Sequence, residues 1–464
     1  MLHSPLEHPL SPDDKVFFLH IPKSAGTTLA TILSNYFSHG ETLPLLRIYE
    51  LNRLAEFSPK DYRYFRGHFY YNAIQQWLGE KPIGLTMLRK PVARFISEFS
   101  FMRDSLQQHR LSGGILDPDE LDEYEQFETL TPDEFLNSDL VLKWRSHNLQ
   151  SRMIARPFDY SPGDDWLDLY KAEFRNVDPV DMGVVKTRLN DFEFVGLTER
   201  FQESLFLLTY TFGWPLILDY TPLNIGTRRV PSSQFTPEVI QHVQDINAQD
   251  IETYALAEQV FDTRLTQMYH ALIERYGTAA HTALNPDDLP RDTLVELLQK
   301  HYQSRFAEAH QPIHDVNISF DQAMMSTGWY QCHSHLDIGS YRWSGPGCIS
   351  TIDVPLDRDQ DLIIRFQVVG GVSQPIVDSL QLTINDHVIV CQVVDIATNG
   401  SKVFEGVIPQ QLLENENPFV RIAFSVIRTE KFEHPPTVIP DDRLMGVALS
   451  WLTVSPNTQA KMSA

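Results

Sequence analysis

Residues 20–29 combine one lysine, one glycine and several hydroxyl side chains in a short loop after an apolar run. A loop of this kind before a helix can bind an anion, because free backbone N–H groups and the positive helix end converge there. Gly26 would let the backbone come close to the ligand, Thr27 and Thr28 add hydroxyl donors, and Lys23 adds a mobile charge. The lysine precedes the glycine, so the loop is not a Walker A motif. The candidate anion-binding residues are Lys23, Ser24, Ala25, Gly26, Thr27 and Thr28.

A second candidate anion site consists of Arg89 and Ser97, which follow another apolar run at residues 83–88. In open α/β sheets, ligands bind at the carboxyl ends of the strands, where Arg89 is expected. Ser97 is expected about two turns into the next helix, so the two side chains can hold one phosphate together. The pair is informative only in combination with the first loop.

A candidate proton acceptor, His68, lies between the two anion sites in the segment 64–69. Transfer of a group to a hydroxyl requires a base, and histidine is suited to that role near neutral pH. His20 is the alternative, although we expect it to orient the loop. Glu56 is a more distant alternative.

Two strand–loop–helix units are expected to position these residues. The runs 16–19 and 83–88 are typical of buried strands, and residues 27–37 and 92–101 have the period of amphipathic helices. Thr131, with a proline next and Glu134 three residues on, marks another helix start. Further helices are expected at residues 200–211, 237–259 and 291–305, and the segment 194–201 is expected to be a scaffold strand that enters a helix. The pattern predicts an α/β domain: a P-loop-like parallel sheet flanked by helices.

With these motifs the chain resembles the carbohydrate-type sulfotransferases, the family that includes heparan sulfate 2-O-sulfotransferase. The resemblance covers about residues 15–275 and is most specific in the first two motifs. It implies that the loop binds the 5′-phosphosulfate of 3′-phosphoadenosine-5′-phosphosulfate (PAPS), that Arg89 and Ser97 bind its 3′-phosphate, and that His68 is the base. It implies no metal. Lys90 is a departure, because the family often has an aspartate there, and it alters the local charge.

The resemblance extends to two less specific segments. Residues 148–152 are similar to a family segment near the acceptor and the cofactor. Residues 224–229 form a basic loop, and in relatives such a loop closes over the 3′-phosphate end of the cofactor. This implies a cofactor contact from Arg228 or Arg229.

The pattern changes after about residue 312, from helical periods to short β-branched runs separated by turns. Asn385 and Asp386 are a hairpin signal between two of these runs. The sequence therefore predicts a sulfotransferase domain at 1–312 and an all-β sandwich at 313–464. The sandwich resembles modules appended to bacterial carbohydrate-modifying transferases. Strands are expected at residues 350–354, 362–369, 380–384, 387–394, 420–427 and 447–454.

Two features of the predicted sandwich could bind ligands. The segment 332–335 contains Cys-His-Ser-His, but no fourth metal ligand is evident, so no metal site is expected. Aromatic side chains could line a sugar-binding face, although core packing is the expected role of at least two of them. They are Trp329, Tyr330, Tyr341, Trp343 and Trp451.

Composition limits the possible partners and locations. The net charge of −23 argues against nucleic acid or another polyanion as a partner of the whole surface. Residues 15–103 nevertheless carry 12 Lys/Arg against 6 Asp/Glu, which favours a small anion there. No signal peptide or membrane-spanning run is evident, and three cysteines form no disulfide framework, so a cytoplasmic location is expected.

The leading interpretation is a PAPS-dependent sulfotransferase that acts on a hydroxyl group, with a glycan or glycolipid as the expected acceptor. One alternative is another nucleotide-dependent P-loop enzyme such as a kinase, which the lysine–glycine order and the Arg89–Ser97 pair disfavour. The other is a carbohydrate-binding or scaffold protein with an inactive transferase domain. The acceptor and the oligomeric state stay open.

Overall fold

A computed structural model describes residues 6–45, 56–112, 123, 125–157, 175–223, 230–278, 289–432, 441 and 443–457. The predicted basic loop with Arg228 and Arg229 lies outside these residues. No helix within the described ranges is long and apolar enough to cross a membrane.

The first part of the chain is built on a four-stranded parallel sheet. Its strands are β1 (Val16–Leu19), β2 (Tyr64–Gly67), β3 (Ile83–Leu88) and β4 (Phe194–Leu197), in the order β2-β1-β3-β4. Every residue of β1, β3 and β4 is buried, as expected for continuous apolar runs covered on both faces. The predicted α/β class is therefore confirmed, and the predicted bounds of β1 and β3 are correct.

Helices cover this sheet and extend beyond it. The predicted helix at residues 27–37 ends early because the carbonyl groups of Ser34 and Asn35 accept hydrogen bonds from Arg342 and from the Met324 N–H. The helix predicted at 237–259 is two helices separated at Asn247. The described helices are α1 (Gly26–Leu33), α2 (Tyr71–Leu78), α3 (Pro91–Ser112), α4 (Pro132–Asn137), α5 (Leu149–Ala155), α6 (Met182–Asp191), α7 (Phe201–Phe212), α8 (Pro237–Ile246), α9 (Ala248–Tyr276) and α10 (Arg291–Ala309).

The strands that the structure describes between Val316 and Pro456 pair antiparallel with one another, and we call this part of the chain the β region. Its strands are β5 (Val316–Ser319), β6 (Ser326–Thr327), β7 (His333–His335), β8 (Gly339–Trp343), β9 (Ile349–Val354), β10 (Leu362–Gly371), β11 (Gln381–Ile384), β12 (His387–Ile389), β13 (Cys391–Ile396), β14 (Lys402–Ile408), β15 (Val420–Ser425) and β16 (Val447–Pro456). The described part of this region also contains a short α-helix, α11 (Gln374–Asp378), and a 3-10 turn at Gln410–Leu412. One sheet has the order β13-β14-β10-β16-β8-β7 with β5 paired to β16, and the other has β12-β11-β15-β9-β6.

The two sheets of the β region share one apolar core. Phe366 on β10 and Phe424 on β15 meet edge-on across it, with ring centroids 5.1 Å apart. The predicted sandwich architecture is thereby confirmed. The single strand predicted at residues 387–394 is wrong, because Val390 separates β12 from β13 and these strands belong to different sheets. The hairpin at Asn385 and Asp386 is confirmed, with φ of 46° and 68°.

Buried polar contacts join α1 to the β region. Arg342 is fully buried, and its Nη1 donates to the carbonyl of Ser34 and to Oδ1 of Asn35, at 3.0 and 2.8 Å. Asn35 Nδ2 donates to the carbonyl of Trp329 at 3.2 Å. The end of α1 is therefore fixed by residues about 300 positions later in the chain.

Candidate active site

The loop between β1 and α1 presents backbone donors at the carboxyl edge of the parallel sheet. Lys23 and Ala25 have positive φ angles of 66° and 58°, which turn the chain tightly before the helix. Within the described structure, the N–H groups of Ser24, Ala25 and Gly26 donate to no protein acceptor. Ser24 is buried and its Oγ has no hydrogen-bond partner there. The loop therefore offers donors to an anion at the positive end of α1.

Gly26 is required for a reason that the sequence did not reveal. A Cβ atom at this position would lie 2.0 Å from Cδ2 and 2.3 Å from Nε2 of His20. The His20 imidazole stacks on Phe18, with ring centroids 5.5 Å apart, and thus fills the space beside the glycine. His20 therefore packs against the loop, and the orienting role expected for it stays a prediction.

His68 follows β2 directly and meets the loop at its start. Since Leu19 pairs with Gly67 in the parallel register, the next residues, His20 and His68, lie side by side, with ring centroids 4.4 Å apart. The Nδ1–H of His68 donates to the carbonyl oxygen of His20 at 2.7 Å. This bond selects the tautomer whose Nε2 carries the lone pair, which is the form that a general base requires. The other candidate base, Glu56, is exposed.

Basic side chains converge on this edge of the sheet. The pKa of His20 lies well below its usual value, first because of burial and then because of the charges of His68, Arg66 and Lys23. Lys23 Nζ lies 3.9 Å from the centroid of the Phe101 ring on α3. Arg66, which sequence reasoning left without a role, therefore belongs to the same cluster as the predicted residues.

Arg89 lies immediately after β3, as predicted, and its guanidinium contacts the first loop. Its Nη1 donates to the carbonyl of Lys23 at 3.0 Å. Burial is the main reason that the pKa of Arg89 is lowered from its usual value. Ser97 lies in the second turn of α3, partly buried, and within the described structure no hydrogen bond joins it to Arg89.

Gln150 on α5 is a positioning residue whose partner the sequence did not indicate. Its fully buried amide accepts from the Arg89 N–H and donates to the Arg89 carbonyl, both at 2.9 Å. Asp250 in turn accepts from the backbone N–H groups of Gln150 and Ser151, at 3.2 and 2.8 Å. Sequence analysis singled out the segment 148–152 for its resemblance to the family. Nothing in the sequence indicates that it contacts Arg89, 61 positions before Gln150, or Asp250, 100 positions after it.

The structure bears on two possible ligand sites in the β region, a metal site at residues 332–335 and an aromatic sugar-binding face. Among the described residues, no group of three or more His, Cys, Asp and Glu side chains could hold a metal ion. His333 Nε2 instead lies 3.0 Å from Nη1 of Arg443. Trp329 and Tyr330 are buried, at 3% and 2% exposure, so these two aromatic residues pack in the interior.

Comparison with known proteins identifies the class of the molecule. The model of the sulfotransferase family matches residues 9–257, more than half of the chain, and the chain therefore belongs to this family. The predicted family is confirmed.

Individual relatives are distant and only partly covered. Heparan-sulfate 6-O-sulfotransferase 3 of Mus musculus is 27% identical over 190 residues, which cover 39% of this chain and 38% of that protein. The Homo sapiens protein of the same name gives the same values. Heparan-sulfate 6-O-sulfotransferase 2 of Danio rerio is 26% identical over 192 residues, covering 38% and 37%. A family GH115 4-O-methyl-alpha-glucuronidase structure aligns with a TM-score of 0.19 at 8% identity, too low to carry an argument.

Proposed function

We propose that this protein transfers the sulfuryl group of PAPS to a hydroxyl group of a carbohydrate. The observation that carries the proposal is the hydrogen bond from His68 Nδ1 to the His20 carbonyl. It gives His68 the tautomer of a base, at the point where the anion-binding loop begins. A base beside an anion site is what transfer of an anionic group to a hydroxyl requires.

The two anion sites fit the two ends of PAPS. The backbone donors of Ser24, Ala25 and Gly26 and the buried hydroxyl of Ser24 suit the 5′-phosphosulfate, with Lys23, Thr27 and Thr28 beside them. Arg89 and Ser97 hold the 3′-phosphate, because Arg89 is a cation whose backbone Gln150 fixes on both sides. Arg228 and Arg229 are assigned to the same phosphate by the family resemblance alone.

The reaction is an in-line displacement. The acceptor oxygen forms a bond to sulfur while the bond from sulfur to the 5′-phosphate oxygen breaks, and the product nucleotide leaves with that electron pair. His68 Nε2 takes the acceptor proton. Lys23 and the loop N–H groups stabilise the negative charge that develops on the leaving phosphate, so most of the catalytic effect comes from alignment and electrostatics.

The acceptor class follows from the names of the relatives, which are heparan-sulfate sulfotransferases. The chain spans less than two fifths of their length, so a carbohydrate acceptor is part of the proposal. We also propose that residues 1–312 form the transferase domain and 313–464 a distinct domain, since each has its own main apolar core. A cytoplasmic location fits Cys332, Cys348 and Cys391, which all lie in the described structure without a disulfide.

The test is to incubate the purified protein with radiolabelled PAPS and a panel of neutral and acidic glycans, and to locate the label. We expect label on one glycan class, together with release of the 3′,5′-bisphosphate nucleotide. His68→Ala is the negative control, since it removes the base and spares the anion sites. Binding of the bisphosphate nucleotide no tighter than that of AMP would contradict the assignment of Arg89 and Ser97. Nucleotide binding without label on any hydroxyl acceptor would contradict the proposed reaction.

A further inference from the structure

Arg66 occupies a central position in the candidate active site without a role in the mechanism above. It lies on β2, two residues before His68, and β2 ends at the carboxyl edge where the anion loop begins. Arg66 pairs with Phe18 in the parallel register of β1 and β2, and the Phe18 ring stacks on His20. In agreement with this position, the charge of Arg66 is one cause of the lowered pKa of His20. Arg66 therefore lies in the strand that leads directly to the proposed base.

The Arg66 guanidinium has hydrogen-bond donors that find no acceptor, or only a distant one, within the described structure. Its Nε is buried and, within the described structure, donates to no acceptor. Its Nη2 reaches Oε1 of Gln331 at 3.5 Å, the long limit of a hydrogen bond. No carboxylate among the described residues pairs with it, whereas Arg421 and Arg443 pair with Asp353 and Asp441. Since buried donors without an acceptor are costly, this arrangement suits a guanidinium that awaits an anionic ligand.

Gln331 comes from the β region, and its backbone position is fixed by its neighbours. The Trp329 carbonyl accepts from Asn35 Nδ2, which ties this segment to the end of α1. The Tyr330 N–H donates to the carbonyl of Trp343 at 2.9 Å, and the Tyr330 hydroxyl donates to the carbonyl of Leu444 at 3.0 Å. The amide of Gln331 is neutral, so it can orient Arg66 without cancelling the charge.

We propose that Arg66 binds an oxyanion beside His68 and that Gln331, supplied by the β region, positions the guanidinium for it. The inference rests on the proposed function in that the oxyanion is part of a substrate. It is either the sulfuryl group of the donor or a carboxylate or sulfate on the acceptor. In this proposal the β region supplies a residue to the site from outside the segment that the family model matches.

The test compares the full-length protein with Gln331→Glu, Gln331→Ala, Arg66→Ala and Arg66→Lys. A carboxylate at position 331 would form an ion pair with Arg66 and compete with the ligand, so Gln331→Glu should weaken anion binding more than Gln331→Ala does. Arg66→Lys keeps the charge but loses the planar set of donors, and we expect an intermediate effect. Gln381→Glu, on the exposed start of β11, adds the same charge away from the cleft and is the control.

Binding is measured first without turnover, by titrating inorganic sulfate into protein saturated with 3′,5′-bisphosphate nucleotide, so that the nucleotide phosphates occupy the other anion sites. We expect sulfate affinity to fall about 10- to 100-fold in Arg66→Ala and Gln331→Glu, as for loss of charge-assisted hydrogen bonds. Gln381→Glu should leave it unchanged. Equal sulfate affinity in wild type, Arg66→Ala and Gln331→Glu would overturn the proposal, and if Arg66→Ala does not fold, Arg66→Lys and Gln331→Glu decide it.

Kinetics then identify the source of the oxyanion. If it is the donor's sulfuryl group, Arg66→Ala raises the KM for PAPS or lowers kcat, while the affinity for the bisphosphate nucleotide, which lacks that group, stays the same. If it belongs to the acceptor, the KM rises for an acidic acceptor and not for a neutral one. Arg66-dependent sulfate binding in a protein that transfers no sulfuryl group would contradict the proposed function and leave the oxyanion site standing.

Discussion

The Nδ1 atom of His68 donates to the carbonyl oxygen of His20 at a distance of 2.7 Å. Because a carbonyl can only accept, Nδ1 carries a proton, and in the neutral imidazole Nε2 then has the lone pair. The geometry depends on the parallel register of β1 and β2, which brings the residues after Leu19 and Gly67 side by side. The backbone of the anion loop thus selects the tautomer of the neutral imidazole at the proposed base.

Replacing His68 by Ala should reduce turnover with little effect on nucleotide binding. A general base contributes typically about 10²- to 10⁴-fold to the rate, and kcat at saturating PAPS should fall by that factor. Calorimetry should give a nearly unchanged affinity for the bisphosphate nucleotide. His270→Ala, at an exposed position on α9, is the matched control and should behave as wild type. Near-normal turnover in His68→Ala would require another base, first Glu56 and then His20.

Gly26→Ala should destabilise the protein and distort the anion loop. The new methyl group would lie 2.0 Å from a stacked imidazole, and overpacking of this kind costs about 1–3 kcal/mol. Thermal unfolding and nucleotide calorimetry measure the two effects. Gly40→Ala is the control, because nothing lies within 4 Å of its Cβ position. If the clash with the imidazole is the cause, the double variant His20→Ala, Gly26→Ala should recover nucleotide binding relative to Gly26→Ala; no recovery would contradict this explanation.

Gln150→Leu should weaken recognition of the 3′-phosphate specifically. The substitution leaves the N–H and the carbonyl of Arg89 without the partners that fix them at 2.9 Å. We expect the affinity for the 3′,5′-bisphosphate nucleotide to fall about 5- to 150-fold, as for loss of about 1–3 kcal/mol. The affinity for AMP, which has no 3′-phosphate, should change little. Gln241→Leu, exposed on α8, is the control, and an equal loss for both nucleotides would argue against a role through Arg89.

The sequence predicts the strand–loop–helix core well, because that information is local. The buried runs of β1 and β3 and the cap of Thr131 on α4 each depend on a few neighbouring residues, and the structure confirms them. β2 was not predicted, since Arg66 interrupts a short edge strand of only four residues. Its position explains why His68 lies at the same sheet edge as the anion loop.

The missed features depend on contacts between distant parts of the chain. Gln150 meets Arg89 across 61 positions, and Gln331 meets Arg66 across 265. No periodicity or motif encodes such pairs in one sequence. The steric role of Gly26 was missed for a related reason. A glycine is expected both where the backbone approaches a ligand and where a side chain such as His20 packs closely against it, so the sequence does not distinguish the two.

Arg342→Ala should be among the most destabilising substitutions in the β region. The fully buried guanidinium donates to the carbonyls of Phe320 and Gln322 as well as to Ser34 and Asn35. Removing it leaves these acceptors without their charged donor, so we expect a loss of more than about 3 kcal/mol in the free energy of unfolding.

Arg365→Ala is the matched control for Arg342→Ala. Arg365 pairs with Glu405 on the surface, and its removal should cost less than about 1 kcal/mol. Denaturant unfolding of the two variants measures both values. Equal costs would show that the contact between α1 and the β region adds little to stability.

The stability of the protein should fall below about pH 6.5 in part because of His20. Its pKa in the folded protein lies well below the ordinary value of about 6.5, so between these two values the unfolded chain binds a proton that the folded chain does not. The free energy of unfolding should therefore decrease as the pH falls through this interval. Below the folded-state pKa of His20 both states bind the proton, so His20 causes no further decrease. His20→Phe keeps an aromatic ring on Phe18 but cannot titrate, so the variant should lose less stability than wild type between pH 7 and pH 5. His68 lies beside His20, so the comparison reports His20 together with its coupling to His68. Parallel stability curves of the two proteins would show that His20 does not contribute.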